Sequence, residues 1–212
     1  MEFLSYLFSG ISLGSVYAII ALGYTMVYGI AKMLNFAHGD VIMVGSYVVF
    51  VTTSTMGLPV PVAMILSIVF CIILGVLIEG IAYRPLRGTS SLAVLITAIG
   101  VSYFLQNAGL LIFGADTKSF TSVVNMVPIS LAGGALKISG VTLITVIVCI
   151  VIMIVLMTFI KKTKAGRAML AVSEDKGAAQ LMGINVNATI SLTFAIGSAL
   201  AAIAGVLLCS AY

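Results

Sequence analysis

The sequence predicts an all-α protein, a polytopic transmembrane helical bundle with about six spans. Of its 212 residues, 62% are hydrophobic and 8% are charged, and the mean hydropathy is +1.29. A soluble domain carries roughly 25% charged residues, so 10 basic and 6 acidic side chains cannot cover a globule of 22.0 kDa. The charges also lie in short patches between long apolar runs, which is the pattern of a membrane protein.

The spans follow from the charge-free stretches, because a spanning helix needs roughly 20 apolar residues to cross about 30 Å of hydrocarbon. Residues 3–31 hold the first span. Residues 41–78 would make a single helix of about 57 Å, which is too long, and Pro59 with Pro61 interrupts the helical hydrogen bonds there. We therefore predict the further helices at 41–56, 60–82, 88–115, 138–160 and from about Thr189 onward.

Two long connections separate these spans. Residues 116–137 mix charges with Ser, Thr, Asn and Gly, and we predict that they form an extramembrane loop. Residues 161–187 carry seven charges and begin with a basic cluster. The positive-inside rule assigns this cluster, and Arg84 with Arg87, to the cytoplasmic side. The N-terminus and the turn at 57–61 are then outside.

The first candidate site is the stretch Asn35-Phe36-Ala37-His38-Gly39-Asp40, which contains the only histidine and a carboxylate between two apolar runs. In one interpretation Asp40 is the N-cap of a helix that begins at Val41. In the other, the stretch is a helix break that lines a polar pathway, because ionisable groups at membrane depth usually face a cavity. One histidine and one carboxylate lack the further ligands of a metal site, so we expect no metal.

The second candidate site is a polar seam in the helix at 88–115. It consists of Thr97, Gly100, Ser102, Gln106 and Asn107. Placing an amide side chain against lipid is energetically costly, so these side chains either hydrogen-bond a neighbouring helix or line a substrate path. The sequence leaves both interpretations open.

Small residues recur at a spacing of four in two of the spans. Gly10 and Gly14 form one such pair, and Gly197, Ala201 and Gly205 form a longer series. This spacing places small residues on one helix face and lets two backbones approach closely. It predicts helix packing and says nothing about function.

The connection at 161–187 contains more apolar residues than a solvated loop needs. Met169, Val172, Ala179 and Met182 are spaced for short amphipathic helices, and Gly183 followed by Asn185 is typical of a helix end. Such a segment could lie on the membrane surface or dock into a groove of a cytoplasmic partner.

Catalytic motifs are absent from the sequence. It contains no nucleophile elbow, no zinc-protease motif and no phosphate-binding loop. We therefore expect a non-enzymatic subunit, with any ATP hydrolysis carried out by another chain.

Several stretches together resemble the permease subunits of bacterial ABC importers for branched-chain amino acids, of the LivH type. Asn35-Phe36-Ala37-His38-Gly39-Asp40 and Tyr83-Arg84-Pro85-Leu86-Arg87 are the most specific of them. The others are Gly14-Ser15-Val16-Tyr17-Ala18, Thr97-Ala98-Ile99-Gly100-Val101-Ser102, Leu105-Gln106-Asn107, Gly166-Arg167-Ala168 and Ala178-Ala179-Gln180-Leu181-Met182-Gly183-Ile184-Asn185. Their order and spacing cover the length of the chain.

The resemblance implies a set of partners in a bacterial inner membrane. A substrate-binding protein delivers the amino acid to two permease subunits, identical or paralogous, and two cytoplasmic ATPase subunits drive the change between outward-open and inward-open states. This chain would bind no cofactor, since the partner ATPases use ATP and magnesium. Nucleic acid is not an expected partner, while membrane lipid is.

The resemblance also implies roles for particular residues. The ATPase-docking loop would include Arg167, Glu174, Asp175, Ala178, Ala179 and Gly183. Gly177-Ala178-Ala179 followed by Gly183 is similar to the Glu-Ala-Ala-x3-Gly signature of importer permeases, with Gly177 in place of Glu. The translocation pathway would include Asn35, His38, Gly39, Asp40, Thr97, Gln106 and Asn107.

Family members continue beyond the length of this chain with further helices. We therefore expect residues 1–212 to form a single permease domain that is incomplete at its C-terminus. The alternative to an importer subunit is an ATP-independent transporter or channel, which would need a carboxylate in mid-helix. Only Asp40 and Glu79 come near this requirement, and both are expected towards helix ends.

Overall fold

A computed structural model of the protein describes residues 2–116, 118, 129–131, 136–138 and 140–211. Within these residues the chain is almost entirely helical. The α-helices are α1 (Glu2–Ala31), α2 (His38–Phe50), α3 (Val60–Ile78), α4 (Ser91–Phe113), α5 (Gly140–Lys162), α6 (Lys164–Glu174), α7 (Lys176–Leu181) and α8 (Val186–Ala211). π-helical turns extend α2 over Val51–Thr55 and α3 over Glu79–Tyr83, and a 3-10 turn follows at Arg84–Leu86.

The helical membrane bundle that the sequence predicts is confirmed. Among the described residues, five helices are long and apolar enough to cross a membrane: Tyr6–Ala31, Val60–Leu86, Ser91–Phe113, Gly140–Lys162 and Val186–Ser210. The remaining predicted span is α2 with its π-helical turn. It is shorter than the other five, and its first turn contains the polar residues His38 and Asp40.

Helix α8 lies at the centre of the bundle and packs against α1, α2 and α3, while α5 packs mainly against α1. Small residues allow this close contact. A Cβ at Gly205 would lie 2.6 Å from the carbonyl oxygen of Ile42 in α2, and a Cβ at Gly197 would lie 2.9 Å from the Val27 side chain in α1. Ala201, between them, is fully buried. The predicted packing series of α8 therefore faces helices of the same chain.

Most of the basic residues gather at one end of the bundle, called the basic end below. The end of α1 contacts the start of α7 through Lys176 and the Ala31 carbonyl, and Arg87 contacts Asn187 at the start of α8. Residues 161–187 therefore lie at the same end as Arg84 and Arg87. The turn before α3 lies at the opposite end. There Val49, Ala63 and Val206 form a small apolar cluster.

The predicted break between the second and third spans is present, since Pro59 precedes the first residue of α3 and Gly57 has a φ of 64°. The predicted start of α2 was wrong. The helix begins at His38, its N-cap is Ala37, and no side chain caps it. Asp40 lies inside the first turn and is not the N-cap, because the turn at Ala37 already lets the Val41 N–H donate to the Ala37 carbonyl.

The predicted extramembrane loop at 116–137 falls largely outside the described residues. Its described parts include two short strands, β1 (Ile129–Leu131) and β2 (Leu136–Ile138). They pair antiparallel, with Ser130 opposite Lys137. The sequence analysis predicted no strands there, because segments of three residues are too short to show a periodic pattern.

Candidate translocation and docking sites

The chain reverses sharply between α1 and α2. Lys32, directly after the last residue of α1, has a φ of 56°, and its N–H donates to the Tyr28 carbonyl. A non-glycine residue in this left-handed region is uncommon and strained. The turn sends residues 33–37 back into the bundle, where His38 lies against Gly23 of α1. Residues 32–40 are called the re-entrant segment below. Because Gly23 is about two turns from the end of α1, α2 begins at membrane depth and not at the basic end.

The re-entrant segment contains three buried polar side chains. Asn35, His38 and Asp40 are 6%, 4% and 7% exposed. The Tyr83 hydroxyl donates to Oδ1 of Asn35 over 3.1 Å, whereas Nε2 of His38 and Oδ2 of Asp40 have no hydrogen-bond partner among the described residues. Burying polar atoms without partners is costly. Their retention is typical of a site that contacts water or a polar ligand.

A groove of about 440 Å³ runs between α1 and the re-entrant segment. Its polar lining consists of the Tyr17, Tyr24, Thr25, Asn35 and His38 side chains. The ring of Tyr24 meets the imidazole of His38 edge-on, with 6.1 Å between the ring centroids. The groove therefore offers hydroxyl, amide and imidazole groups at membrane depth.

A second cleft, of about 550 Å³, follows one face of α2. Its mouth, at the end opposite the basic end, carries Asp116 and Lys118, and Gly39 lines both this cleft and the groove beside His38. The rest of its lining is mostly apolar and consists of Ile42, Met43, Ser46, Tyr47, Phe50, Ala115, Leu208 and Cys209. The two cavities thus share a lining residue in the first turn of α2, within the first of the two stretches where the sequence analysis put pathway residues.

The predicted pathway residues of α4 lie elsewhere. Thr97 is half-buried, and Gln106 and Asn107 are exposed. Gln106 donates to the Ser102 hydroxyl over 3.0 Å, and Asn107 donates to the Tyr103 carbonyl over 2.7 Å, so both amides bond within their own helix. The structure brings Asn35, His38 and Gly39 together at the groove, but not these α4 residues.

The two predicted small-residue series have different surroundings. Gly197 and Gly205 meet neighbouring helices, as described above. A Cβ at Gly10 or Gly14 would have no described atom of this chain within 4 Å, apart from its own helix and chain neighbours. For these two glycines, helix packing remains a prediction.

A buried ion pair at the basic end was missed by the sequence analysis. Glu79, only 1% exposed, pairs with Arg87 and accepts a hydrogen bond of 2.6 Å from the Ser191 hydroxyl of α8. Arg87 also donates to the Asn187 side chain. The available signal was a lone glutamate in an apolar run, eight residues before a basic residue. The arrangement clamps the end of α3 to the start of α8.

Residues 161–187, which contain the predicted ATPase-docking loop and are called the docking segment below, form two short helices, as expected. The Thr163 hydroxyl caps α6 by accepting from the Gly166 N–H over 2.9 Å. Oδ1 of Asp175 caps α7 by accepting from the N–H groups of Gly177 and Ala178 over 2.7 and 3.0 Å. Gly183 has a φ of 83°, which suits a helix end.

The apolar residues of this segment divide into two sets. Met169, Val172 and Ala179 are buried against the bundle. Leu181 and Met182, at the end of α7, are 90% and 82% exposed. The charged or small residues Arg167, Glu174 and Ala178 are also exposed. The tip of the segment therefore presents apolar area outside the bundle.

Lys176 connects α7 to the bundle. Its Nζ donates to the Ala31 carbonyl, at the end of α1, over 2.7 Å. Burial lowers the pKa of Lys176, and the nearby positive charges of Arg87 and Lys32 lower that pKa further. Two clefts at the basic end, of about 550 and 340 Å³, lie on either side of this lysine.

A family model described as branched-chain amino acid transport system, permease component, matches residues 6–212. This chain belongs to that family. The chain is 44% identical to the high-affinity branched-chain amino acid transport permease BraD of Pseudomonas aeruginosa and 43% identical to LivH of Escherichia coli. Each match covers 98% of this chain and 71% of the relative.

A more distant relative is the probable branched-chain amino acid transport permease LivH of Methanocaldococcus jannaschii, which is 29% identical over 90% of this chain. No solved structure matches the chain. The family membership confirms the LivH-type resemblance, and with the five apolar helices it identifies a multi-pass membrane protein of a transport system.

Proposed function

We propose that this chain is the membrane-spanning permease subunit of an ATP-driven ABC importer. It carries branched-chain amino acids, or related amino acids and amides, which a periplasmic or extracellular binding protein delivers. The observation that carries the proposal is the family match over residues 6–212. The two cavities that share Gly39 support it, because one is an apolar cleft at one end of the bundle and the other offers polar groups at membrane depth.

The proposed route follows α2. At its mouth, Lys118 and Asp116 suit the carboxylate and ammonium groups of a zwitterion, and the apolar lining of the cleft along α2 suits an aliphatic side chain. From Gly39 the route continues to Asn35 and His38, and Asp40 follows directly after Gly39 in the first turn of α2.

The α4 residues Thr97, Gln106 and Asn107 are proposed to act in a complete permease pair. They either line the part of the translocation path that faces a second permease subunit, or form hydrogen bonds to that subunit. The support is their position, because both amides are exposed and, among the described residues, bond only within α4.

The proposed partners are two ATPase subunits, a second permease that is a paralogue or a copy of this chain, a binding protein and membrane lipid. The positive-inside rule assigns the basic end to the cytoplasm, so residues 161–187 face the ATPases in a bacterial inner membrane. Leu181 and Met182 are proposed to supply the apolar contact, because they are the most exposed apolar side chains of this segment. This chain is proposed to be non-catalytic and to bind no cofactor, with ATP and magnesium held by the ATPases.

An ATP-independent transporter is the less favoured alternative. It needs a free carboxylate in mid-helix for ion coupling. Glu79 does not meet this requirement, because it is already paired with Arg87 and bonded by Ser191. Asp40 is the only remaining candidate of the two.

The test is co-purification followed by transport. The chain is co-expressed with the ATPases, the partner permease and the binding protein encoded beside it, and ATP-dependent uptake of labelled leucine, isoleucine and valine into proteoliposomes is compared with uptake of lysine. We expect uptake of the aliphatic amino acids only with ATP and the binding protein. Uptake driven by an ion gradient without ATP would overturn the proposal.

The docking surface is tested in the same complex. The double change Leu181→Ser and Met182→Ser removes the exposed apolar area, and we expect the ATPases to be lost on size-exclusion chromatography. The matched control exchanges the two residues, Leu181→Met and Met182→Leu, and retains the apolar area. Equal ATPase retention in both variants would remove Leu181 and Met182 from the docking surface.

A further inference from the structure

The attachment of α7 to the rest of the chain rests on few contacts. Four of its six residues are exposed, namely Gly177, Ala178, Gln180 and Leu181. Ala179 is buried, but its methyl group can bury little area. The neighbouring helix α6 is different, because Met169 and Val172 anchor it firmly in the core. A polar contact made by α7 therefore carries a large share of the connection between that helix and the bundle.

That polar contact is the bond from Lys176 Nζ to the Ala31 carbonyl. The last carbonyls of a helix have no intrahelical partners, and a cation at this position also complements the helix dipole. The position of Lys176 is also fixed within α7, because the Asp175 side chain caps the helix that Lys176 begins. The bond joins two helix ends that lie 145 residues apart in the sequence.

The contact lies directly before the strained turn. Lys32 follows Ala31 and has a φ of 56°, a conformation that persists only where its surroundings impose it. From Lys32 the chain enters the re-entrant segment, where the Asn35 side chain is bonded by Tyr83 and His38 begins α2. A displacement of α7 can therefore act on the end of α1, on the turn at Lys32 and on the first turn of α2.

We propose that Lys176 is a coupling residue, which transmits the position of the ATPase-docking helix α7 to the re-entrant segment. The proposal rests on the proposed importer function and adds a specific contact to it. Lys176 touches neither substrate nor ATP, so it acts as a positioning residue. Without the bond, the ATPases still dock and hydrolyse ATP, but their movement no longer displaces the re-entrant segment beside the groove at His38.

The test compares three variants in the assembled importer. Lys176→Met removes the donor and retains a long apolar stem, and Lys176→Arg retains a cationic donor. Lys164→Met is the matched control, because Lys164 is an exposed lysine at the start of α6 and is not among the proposed docking residues. Three quantities are measured for each: ATPase co-elution, basal ATP hydrolysis, and leucine taken up per ATP hydrolysed in the presence of the loaded binding protein.

We expect K176M to assemble and to hydrolyse ATP at the basal rate, while uptake per ATP falls by about tenfold, within the range typical of coupling between sites. K176R should restore most of the ratio, and K164M should leave it unchanged. An unchanged ratio in K176M would overturn the proposal. Failure of K176M to assemble, with K164M intact, would also overturn it, since the lysine would then be a structural tie only. Absence of ATP-dependent uptake in the unmodified complex would instead contradict the proposed function itself.

Discussion

Helices α5 and α8 are both apolar spans of similar length, yet α5 lies mostly on the outside of the chain and α8 is mostly buried inside it. The α5 span has a mean hydropathy of 3.3 and 11% of it is buried inside the chain, whereas the α8 span has a mean hydropathy of 2.2 and 61% of it is buried. The more hydrophobic helix is therefore the less buried one. A soluble protein shows the reverse relation, because there the apolar side chains leave water.

The difference follows from the solvent. Lipid tails are as apolar as leucine, so burying a large aliphatic residue between membrane helices gives little hydrophobic gain. Close packing of small and weakly polar residues stabilises the helix contacts instead. Helix α8 has small residues on its contact face, with Gly197 and Gly205 against neighbouring helices, while α5 presents exposed Ile147, Ile154 and Val155.

The largest expected effect concerns the clamp that holds α8 to α3. Glu79→Ala removes the carboxylate and leaves Arg87 unpaired, which costs about 3–5 kcal/mol for a buried pair. We expect this loss in the unfolding free energy measured by SDS titration in mixed micelles. The double variant Glu79→Met with Arg87→Met should recover most of it, because no buried charge is left without a partner. A single variant as stable as the parent would mean that the clamp does not hold these helices.

The next effect compares equivalent truncations in the two helices. Leu200→Ala in α8 leaves a cavity in the bundle and should cost about 1–3 kcal/mol, because the lost packing contributes while transfer from lipid contributes little. Ile154→Ala in α5, at a position exposed on the outside of the chain, should cost less than about 1 kcal/mol. The same SDS titration measures both. A large loss for Ile154→Ala only in the assembled complex would show that α5 faces a partner subunit and not lipid.

The third effect concerns the packing glycines. A Cβ at Gly205 would meet the Ile42 carbonyl oxygen at 2.6 Å, and backbone cannot move as easily as a side-chain end. Gly205→Ala should therefore cost about 1–3 kcal/mol, seen as a lower melting temperature in detergent. The control is Gly100→Ala in α4, which has no described neighbour within 4 Å of its Cβ beyond its own helix. Stabilisation of both variants by helix propensity would contradict the close approach of α8 to α2.

Much of this arrangement is predictable from local sequence signals. Charge-free runs, the prolines at the start of α3 and the glycine after α7 each report on their own neighbourhood, and the structure confirms the helices and breaks that they predict. The start of α2 was predicted wrongly because an aspartate before an apolar run is a typical N-cap. Here the re-entrant turn begins the helix earlier and buries Asp40 in its first turn.

Features that depend on contacts between distant residues were not predictable. Glu79 and Arg87 meet where a π-helical and a 3-10 turn replace regular α-helix between them, and a period of 3.6 residues gives no sign of this. The bond from Lys176 to Ala31 joins helix ends for which no sequence pattern exists. In the same way, the small residues of α1 have the same spacing as those of α8, but spacing alone cannot identify the helix that packs against them.

The smallest effect on the chain itself is expected at Gly14, on the exposed face of α1. Gly14→Leu should change the unfolding free energy of this chain by less than about 1 kcal/mol, because Gly14 is exposed and a Cβ there meets no described atom of another helix within 4 Å. Gly100→Leu in α4 is the matched control on another open face. If the glycine spacing of α1 serves a second permease subunit, Gly14→Leu alone should reduce co-purification of that subunit. Equal co-purification in the two variants would mean that Gly14 faces lipid, and that only the α8 series, of the two predicted, packs against protein.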